Sequence, residues 1–244
     1  MTVAVILPAA GLGTRMQRAS AEHAGISRKQ FMLLDGSPIL AHTVRKFAAC
    51  PKVSEIIVAL RQEDLEWVGE MLKREAGSIP LRVVEGGNSR QQSVENAFAV
   101  ITPGTDLVAV HDAVRPFIEL ETIAHAIDEA AQSGAAIVGI VPVDTVKQVS
   151  GAQAGGPKVR GTISRERLVL AQTPQVFRYE VLKQAFDKAR EDGFIGTDES
   201  SLVERLDQIE VSVVLGSDRN IKITRPGDMD LARLFLEHET VKHA

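Results

Sequence analysis

Six stretches of strand length dominate the apolar pattern of this chain: Val3–Leu7, Glu55–Leu60, Leu81–Glu85, Leu107–His111, Ala136–Val141 and Glu210–Leu215. Most are rich in valine and isoleucine and do not alternate with polar residues. A strand with one wet face alternates with period two. An unbroken apolar run is buried on both faces, as in a parallel sheet covered by helices. The intervening stretches supply those helices. Pro38–Phe47 follows Ser37, an N-cap residue type, with proline at the first helical position. Glu63–Glu75 places Leu65, Val68, Met71 and Leu72 at helical spacing, and Ser89–Val100, Glu121–Gln132, Arg178–Glu191 and Asp228–Leu236 read likewise. Strand and helix alternate at βαβ spacing, so the expected fold is α/β: a doubly wound, mostly parallel sheet. At 244 residues, 1–244 reads as one domain with a sizeable core.

Residues 142–174 break that rhythm. Ser150 to Pro157 is rich in glycine and alanine, and Thr145–Val149 and Lys158–Ile163 on either side alternate and carry β-branched residues. This predicts a β-hairpin protruding from the main body, an arm spanning 142–170. A lone hairpin is marginal in water, so a second copy of the chain is the expected partner for it.

Lysine plus arginine total 28 against 32 acidic residues, a net charge of −4, which argues against a nucleic-acid polymer as partner. Any anion chemistry must therefore be local. Cys50 is the single cysteine and the six histidines are scattered, so neither a disulfide nor a zinc cluster is expected, and a reducing cytoplasm fits. No signal-like segment opens the chain, and no run of about 18 apolar residues predicts a membrane span.

The first strand runs directly into PAAGLGTR, residues 8–15. Ligands of open α/β sheets bind beyond the carboxyl ends of the strands. Ala9, Ala10, Gly11 and Gly13 let backbone N–H groups approach an anion, and Arg15 adds a fork-shaped cation for phosphate oxygens. A dinucleotide fingerprint is not met, because Met16 stands at its third small position and Leu60-Arg61 replaces the expected acid. The lysine of a P-loop is also missing.

Several further stretches occur in order: RKQF at 28–31, GGNSRQQSV at 86–94, HDAVRP at 111–116, DT at 144–145, TPQ-F at 173–177, TDESS at 197–201 and NIKITRPGD at 220–228. Together with PAAGLGTRM this set resembles the 2-C-methyl-D-erythritol 4-phosphate cytidylyltransferase family of the non-mevalonate isoprenoid pathway. The resemblance implies a Rossmann-like nucleotidyltransferase fold. It also implies transfer of a cytidylyl group from CTP to methylerythritol phosphate with release of pyrophosphate, a divalent cation such as Mg2+, and a homodimer completed by the arm. The alternative is a relative acting on another polyol phosphate, such as ribitol 5-phosphate; PAAG, rather than an alanine followed by two glycines, favours methylerythritol. The sequence departs from the family pattern in a longer loop between Arg15 and Lys29, in Arg28 where relatives carry proline, and in Asn88 where an acid is frequent.

By that resemblance Arg15, Lys29 and Lys222 are the cations around the CTP phosphates, and Asp112 faces the reacting phosphates and is the candidate metal ligand. Ala9, Ala10, Gly11, Gly13, Gly87, Asn88 and Ser93 match the nucleotide pocket. Arg115, Thr145, Arg165, Thr173 and Thr197 match positions for the second substrate. The chemistry fits these types: a phosphate monoester is already an anion, so the task is to bring two polyanions together rather than to activate a nucleophile. Ile221-Lys222-Ile223-Thr224 also fits an ordinary edge strand, His111 reads as a packed histidine, and Asp198 and Glu199 read as first-turn acids favoured by a helix dipole.

Overall fold

The structure is a computed structural model that describes residues 1–11, 28–151 and 156–242. Along the chain come β1 (Val3–Pro8), β2 (Leu33–Leu34), β3 (Ser37–Pro38), α1 (Ile39–Ala48), β4 (Glu55–Leu60), α2 (Leu65–Glu75), β5 (Leu81–Glu85), α3 (Arg90–Phe98) and β6 (Leu107–Val110). They are followed by α4 (Leu120–Ser133), β7 (Ala135–Ile140), β8 (Val146–Val149), β9 (Val159–Ile163), β10 (Leu170–Arg178), α5 (Tyr179–Glu191), α6 (Glu199–Val203), β11 (Ser212–Leu215) and α7 (Pro226–Lys242).

The main sheet has seven strands in the order β11-β7-β10-β6-β1-β4-β5. β6, β1, β4 and β5 are parallel neighbours, as are β7 and β11. Ile6 sits opposite Ile57 on one side and Val110 on the other, so β1 lies in the middle of the parallel half. Its side chains divide by parity. Val3, Val5 and Leu7 join a core beneath α1, α2 and α4, whereas Ala4 and Ile6 join a second core beneath α3, α5 and α6. This two-faced burial is why the run shows no alternation. A smaller cluster of Leu34, Ile39, Val114, Phe117, Ile223, Met229 and Ala232 seats α7 against the front of the molecule.

One central strand departs from the sequence reading. β10 runs antiparallel to both neighbours and inserts between β6 and β7. Its middle is Gln172-Thr173-Pro174-Gln175, polar and broken by proline, which argues against a central strand. The fold accommodates it with a register shift between Ala171 and Gln175 and a cis Thr173–Pro174 bond, while Gln172, Thr173 and Gln175 are buried with hydrogen-bond partners.

Two local details also differ. α1 begins at Ile39, because Ser37 and Pro38 pair with Leu34 and Leu33 in a short ribbon. Ser37 Oγ accepts from Arg45 Nη2 at 3.0 Å instead of capping the helix. Residues 220–224 form no strand. β8 and β9 form the expected hairpin, a separate two-stranded sheet with Val149 and Val159 exposed.

Ile57 is fully buried in β4. Ile57→Ala is expected to lower unfolding free energy by about 2–5 kcal/mol, read from the urea midpoint at unchanged slope.

Candidate active site

The carboxyl ends of β1, β4, β5 and β6 open onto a cleft of about 630 Å³. One half is made of small residues and main chain: Pro8, Ala9, Ala10, Gly11, Gly87, Asn88 and Ser93 line it. Their placement follows from close contacts. A Cβ on Gly86 would lie 2.4 Å from Ala10 Cβ, so only glycine there lets the two strand ends meet. Ser89 caps α3 by accepting from Gln92 N at 3.0 Å. Ser93 Oγ accepts from Gly87 N at 3.0 Å and donates to Ser89 O at 2.8 Å, which holds the glycine turn open at the cleft. Gln30 Nε2 donates to Ala9 O at 2.7 Å and to Gly11 O at 3.2 Å, and Arg61 Nε donates to Ala10 O at 3.2 Å. Each of these three carbonyls of the first loop thus accepts from a side chain.

Lys29 lines the same cleft from a single 3₁₀ turn, Lys29–Phe31. Arg28, just before it, forks onto the buried Asp64, with Nη2 2.7 Å from Oδ1, and stacks over Phe31. The arginine that stands in place of proline is thus the anchor of this turn.

The other half of the cleft is charged. Asp112 follows β6, and its buried carboxylate meets Lys222 Nζ at 2.8 Å, Arg115 Nε at 3.2 Å and Arg90 Nε at 3.5 Å. Burial opposes its charge, but Lys222 and Arg90, then Arg115, hold the carboxyl well below the ordinary aspartate range. Arg115 Nη1 also donates to Asn220 O at 2.7 Å, tying the loop that carries Lys222 to the end of β6. Arg90 Nη1 lies 2.7 and 2.9 Å from the two oxygens of Glu199, which is buried.

Behind Asp112 a chain of hydrogen bonds has one consistent direction. His111 Nε2 faces Arg115 O at 3.0 Å, and a carbonyl only accepts, so Nε2 carries the proton. Nδ1 then accepts from Thr173 Oγ1 at 3.1 Å, and Thr173 Oγ1 accepts from Asp112 N at 3.0 Å. Burial lowers the His111 pKa to about 4, leaving a neutral ring edge-on to Phe47. His111 is the packed histidine the sequence suggested.

The structure gathers Ala9, Ala10, Gly11, Lys29, Gly87, Asn88, Ser93, Asp112 and Lys222 into one cleft. Arg115 lies beside it, lining a neighbouring recess with Lys222 and Thr224. Gly13 and Arg15 lie outside the described residues. Thr173 is buried, so it props Asp112 instead of offering its hydroxyl to a polyol. Thr145, Arg165 and Thr197 are exposed and line neither space. Arg165 Nη1 donates to Val143 O at 2.6 Å, closing the base of the arm. Asp198 does cap α6, but Glu199 is spent on Arg90 and not on the helix dipole. Arg90, Glu199, Gln30 and Arg61 are additions to the sequence reading. Arg90 lies within the quoted GGNSRQQSV stretch, and its partner stands 109 residues away, beyond any local signal.

A cleft with one half of small residues and main chain and the other of converging charges, at the carboxyl edge of a doubly wound sheet, places the chain in the class of nucleotidyltransferase-like α/β proteins. The family model for 2-C-methyl-D-erythritol 4-phosphate cytidylyltransferase, IspD, matches residues 3–238. The chain belongs to that family. It is 64% identical over 242 residues to the 2-C-methyl-D-erythritol 4-phosphate cytidylyltransferase of Solibacter usitatus, covering 99% of this chain and 98% of that one. The Acidobacterium capsulatum enzyme of the same name is 52% identical, with 98% and 99% covered. Among solved structures, 4-diphosphocytidyl-2C-methyl-D-erythritol synthase from Anaerococcus prevotii superposes with a TM-score of 0.82 at 27% identity, covering 97% of this chain and 96% of that one. The Thermus thermophilus 2-C-methyl-D-erythritol 4-phosphate cytidylyltransferase gives 0.74 at 30%, with 96% and 98% covered.

Because the folded pKa of His111 lies below its unfolded value, folding stability is fully present above about pH 6.5 and falls as pH drops toward 4. Chemical denaturation across this range is expected to show that slope, and His111→Asn is expected to flatten it.

Proposed function

We propose that this cleft carries out the cytidylyl transfer of the family, from CTP to 2-C-methyl-D-erythritol 4-phosphate, with the roles that follow. The observation that carries the assignment is the convergence of Lys222, Arg90 and Arg115 on one carboxylate at the phosphate end of a glycine-lined cleft. Cytosine sits against Ala9, Ala10, Gly87, Asn88 and Ser93. Its N4–H₂ is a donor where uracil has an acceptor, so main-chain carbonyls and a hydroxyl are the groups that select it. The triphosphate runs toward Lys29, Lys222 and, from the sequence, Arg15. The second substrate enters on the side of Arg115 and the recess it shares with Lys222.

An oxygen of the monoester phosphate attacks the α-phosphorus of CTP, the bond to the bridging oxygen breaks, and pyrophosphate leaves. The nucleophile is already ionised, so the protein needs no general base. Its work is to align the two phosphates and to offset their repulsion with fixed cations. The described lining of the cleft carries one carboxylate, Asp112, so a divalent cation here would draw most of its ligands from substrate phosphates and water, the manner in which Mg2+ is commonly held. Asp112 is the residue that would hold it; the ion would neutralise charge on the phosphates.

The arm supports a homodimer. Among the described residues β8 and β9 pair only with each other, and Val143, Val149, Val159 and Leu170 along this segment are exposed. A partner covering that surface would bring Thr145 and Arg165 toward the other copy's cleft, which accounts for their distance from the one beside them. A reducing cytoplasm suits the single buried Cys50, and no helix among the described residues is long and apolar enough to cross a membrane.

A pyrophosphate-release assay tests the assignment. CTP with methylerythritol phosphate is expected to turn over faster than UTP or ATP with the same acceptor, or CTP with ribitol 5-phosphate. EDTA is expected to abolish turnover and Mg2+ to restore it; faster release with the ribitol compound would overturn the acceptor. Lys222→Ala is expected to lower kcat by about 10²–10³ with a much smaller change in the KM for CTP, whereas equal loss in both would reduce Lys222 to a binding role.

A further inference from the structure

Glu199 is a buried acid that the transfer chemistry does not call for. It is 1% exposed and opens the five-residue helix α6. The helix does not need it. Asp198 caps the N-terminus, taking Ser201 N on Oδ1 at 3.1 Å, and Gln175 Oε1 takes Ser200 N at 3.0 Å. Both backbone donors are answered by other side chains, and the Glu199 carboxylate turns onto Arg90 instead.

Arg90 stands between two anions. Nη1 serves both oxygens of Glu199, and Nε faces Asp112 Oδ1 at 3.5 Å. A guanidinium is a rigid plane, so the direction of one edge sets that of the other. A short bond on the Glu199 edge holds Arg90 back, and Asp112 is left with a long contact from Arg90 and shorter ones from Lys222 and Arg115. A guanidinium that lost Glu199 would close onto the remaining carboxylate, Asp112, as a bidentate pair, the favoured geometry of such contacts. Asp112 would then be turned from the cleft.

We propose that Glu199 is a positioning residue: by holding Arg90 from behind, it sets the orientation of the Asp112 carboxylate at the phosphate end of the cleft. The inference rests on the reading of Asp112 given above. Glu199 touches no cleft surface; its influence passes through Arg90.

A mutant cycle through Asp112 tests it, with kcat, KM for CTP and thermal unfolding measured on E199Q, D112N and the double variant of the full chain. Glutamine keeps the shape of Glu199 and removes its charge. E199Q is expected to lower kcat roughly 10–100-fold, as a misaligned reacting group does, with KM for CTP changed less than about threefold. In the D112N background the same substitution is expected to change kcat less than about twofold, since residues acting as one unit are not additive. R90K keeps a cation but loses the planar fork, and is expected to reproduce the E199Q loss and the same dependence on Asp112. It carries the test if E199Q does not fold. Equal loss in both backgrounds, or native kcat in E199Q and R90K, overturns the proposal. Native kcat in D112N alone overturns the role given to Asp112, and the proposal with it.

Discussion

A buried carboxylate stays charged only when cations and donors surround it, and the charged half of this cleft is organised around that requirement at Asp112. The carboxylate is supplied with Lys222, Arg90 and Arg115, and its backbone N–H with Thr173. These groups come from the loop after β11, the start of α3, the turn after β6 and the middle of β10. Each element packs into its own part of the core, so the cluster is also where the two halves of the sheet are joined in charge. Such a cluster has little freedom: removing Asp112 would take away the carboxylate on which the little-exposed Arg115 pairs, and breaking a buried pair from one side costs more than the intact pair contributes.

The antiparallel β10 makes the arrangement possible. Placed between β6 and β7, it brings Thr173 beside Asp112 and sends Gln172 toward Asn220, whose Nδ2 donates to Gln172 Oε1 at 2.9 Å and to Thr173 O at 3.0 Å. Asn220 O in turn accepts from Arg115, so the loop bearing Lys222 is tied to the strand that carries Asp112. The polar residues that spoil β10 as an apolar strand are the ones that build the site. A parallel strand of valines in that position would pack as well and hold nothing.

The opposite end of the cleft uses a different device. Ala10 and Gly86 touch because neither carries bulk, and Gln30, Arg61 and Ser93 take up the main-chain groups of the loops. Side chains that satisfy main chain from behind leave a smooth, preformed surface in front, which lowers the ordering cost of binding. Rigid loops at one end and a fixed charge cluster at the other suit a reaction whose difficulty is alignment rather than proton transfer.

Much of this was legible in the residues alone. The non-alternating runs at 3–7, 55–60 and 107–111 dictated a sheet buried on both faces, because that pattern is local and period two leaves no other reading for strands of that length. The small residues at 9–11 marked a loop where main chain could approach a ligand, whereas Lys29 and Lys222 stood out only through the resemblance of their motifs to the family, because a lysine taken alone reads as solvated surface. What the tertiary structure alone decided is which charges meet. Thr173 reaches Asp112 across 61 residues, Asn220 reaches Arg115 across 105, and Glu199 reaches Arg90 across 109. No local period encodes such pairings; they exist only once β10 has entered the sheet, since sequence spacing governs neighbours along one element and packing governs neighbours between elements.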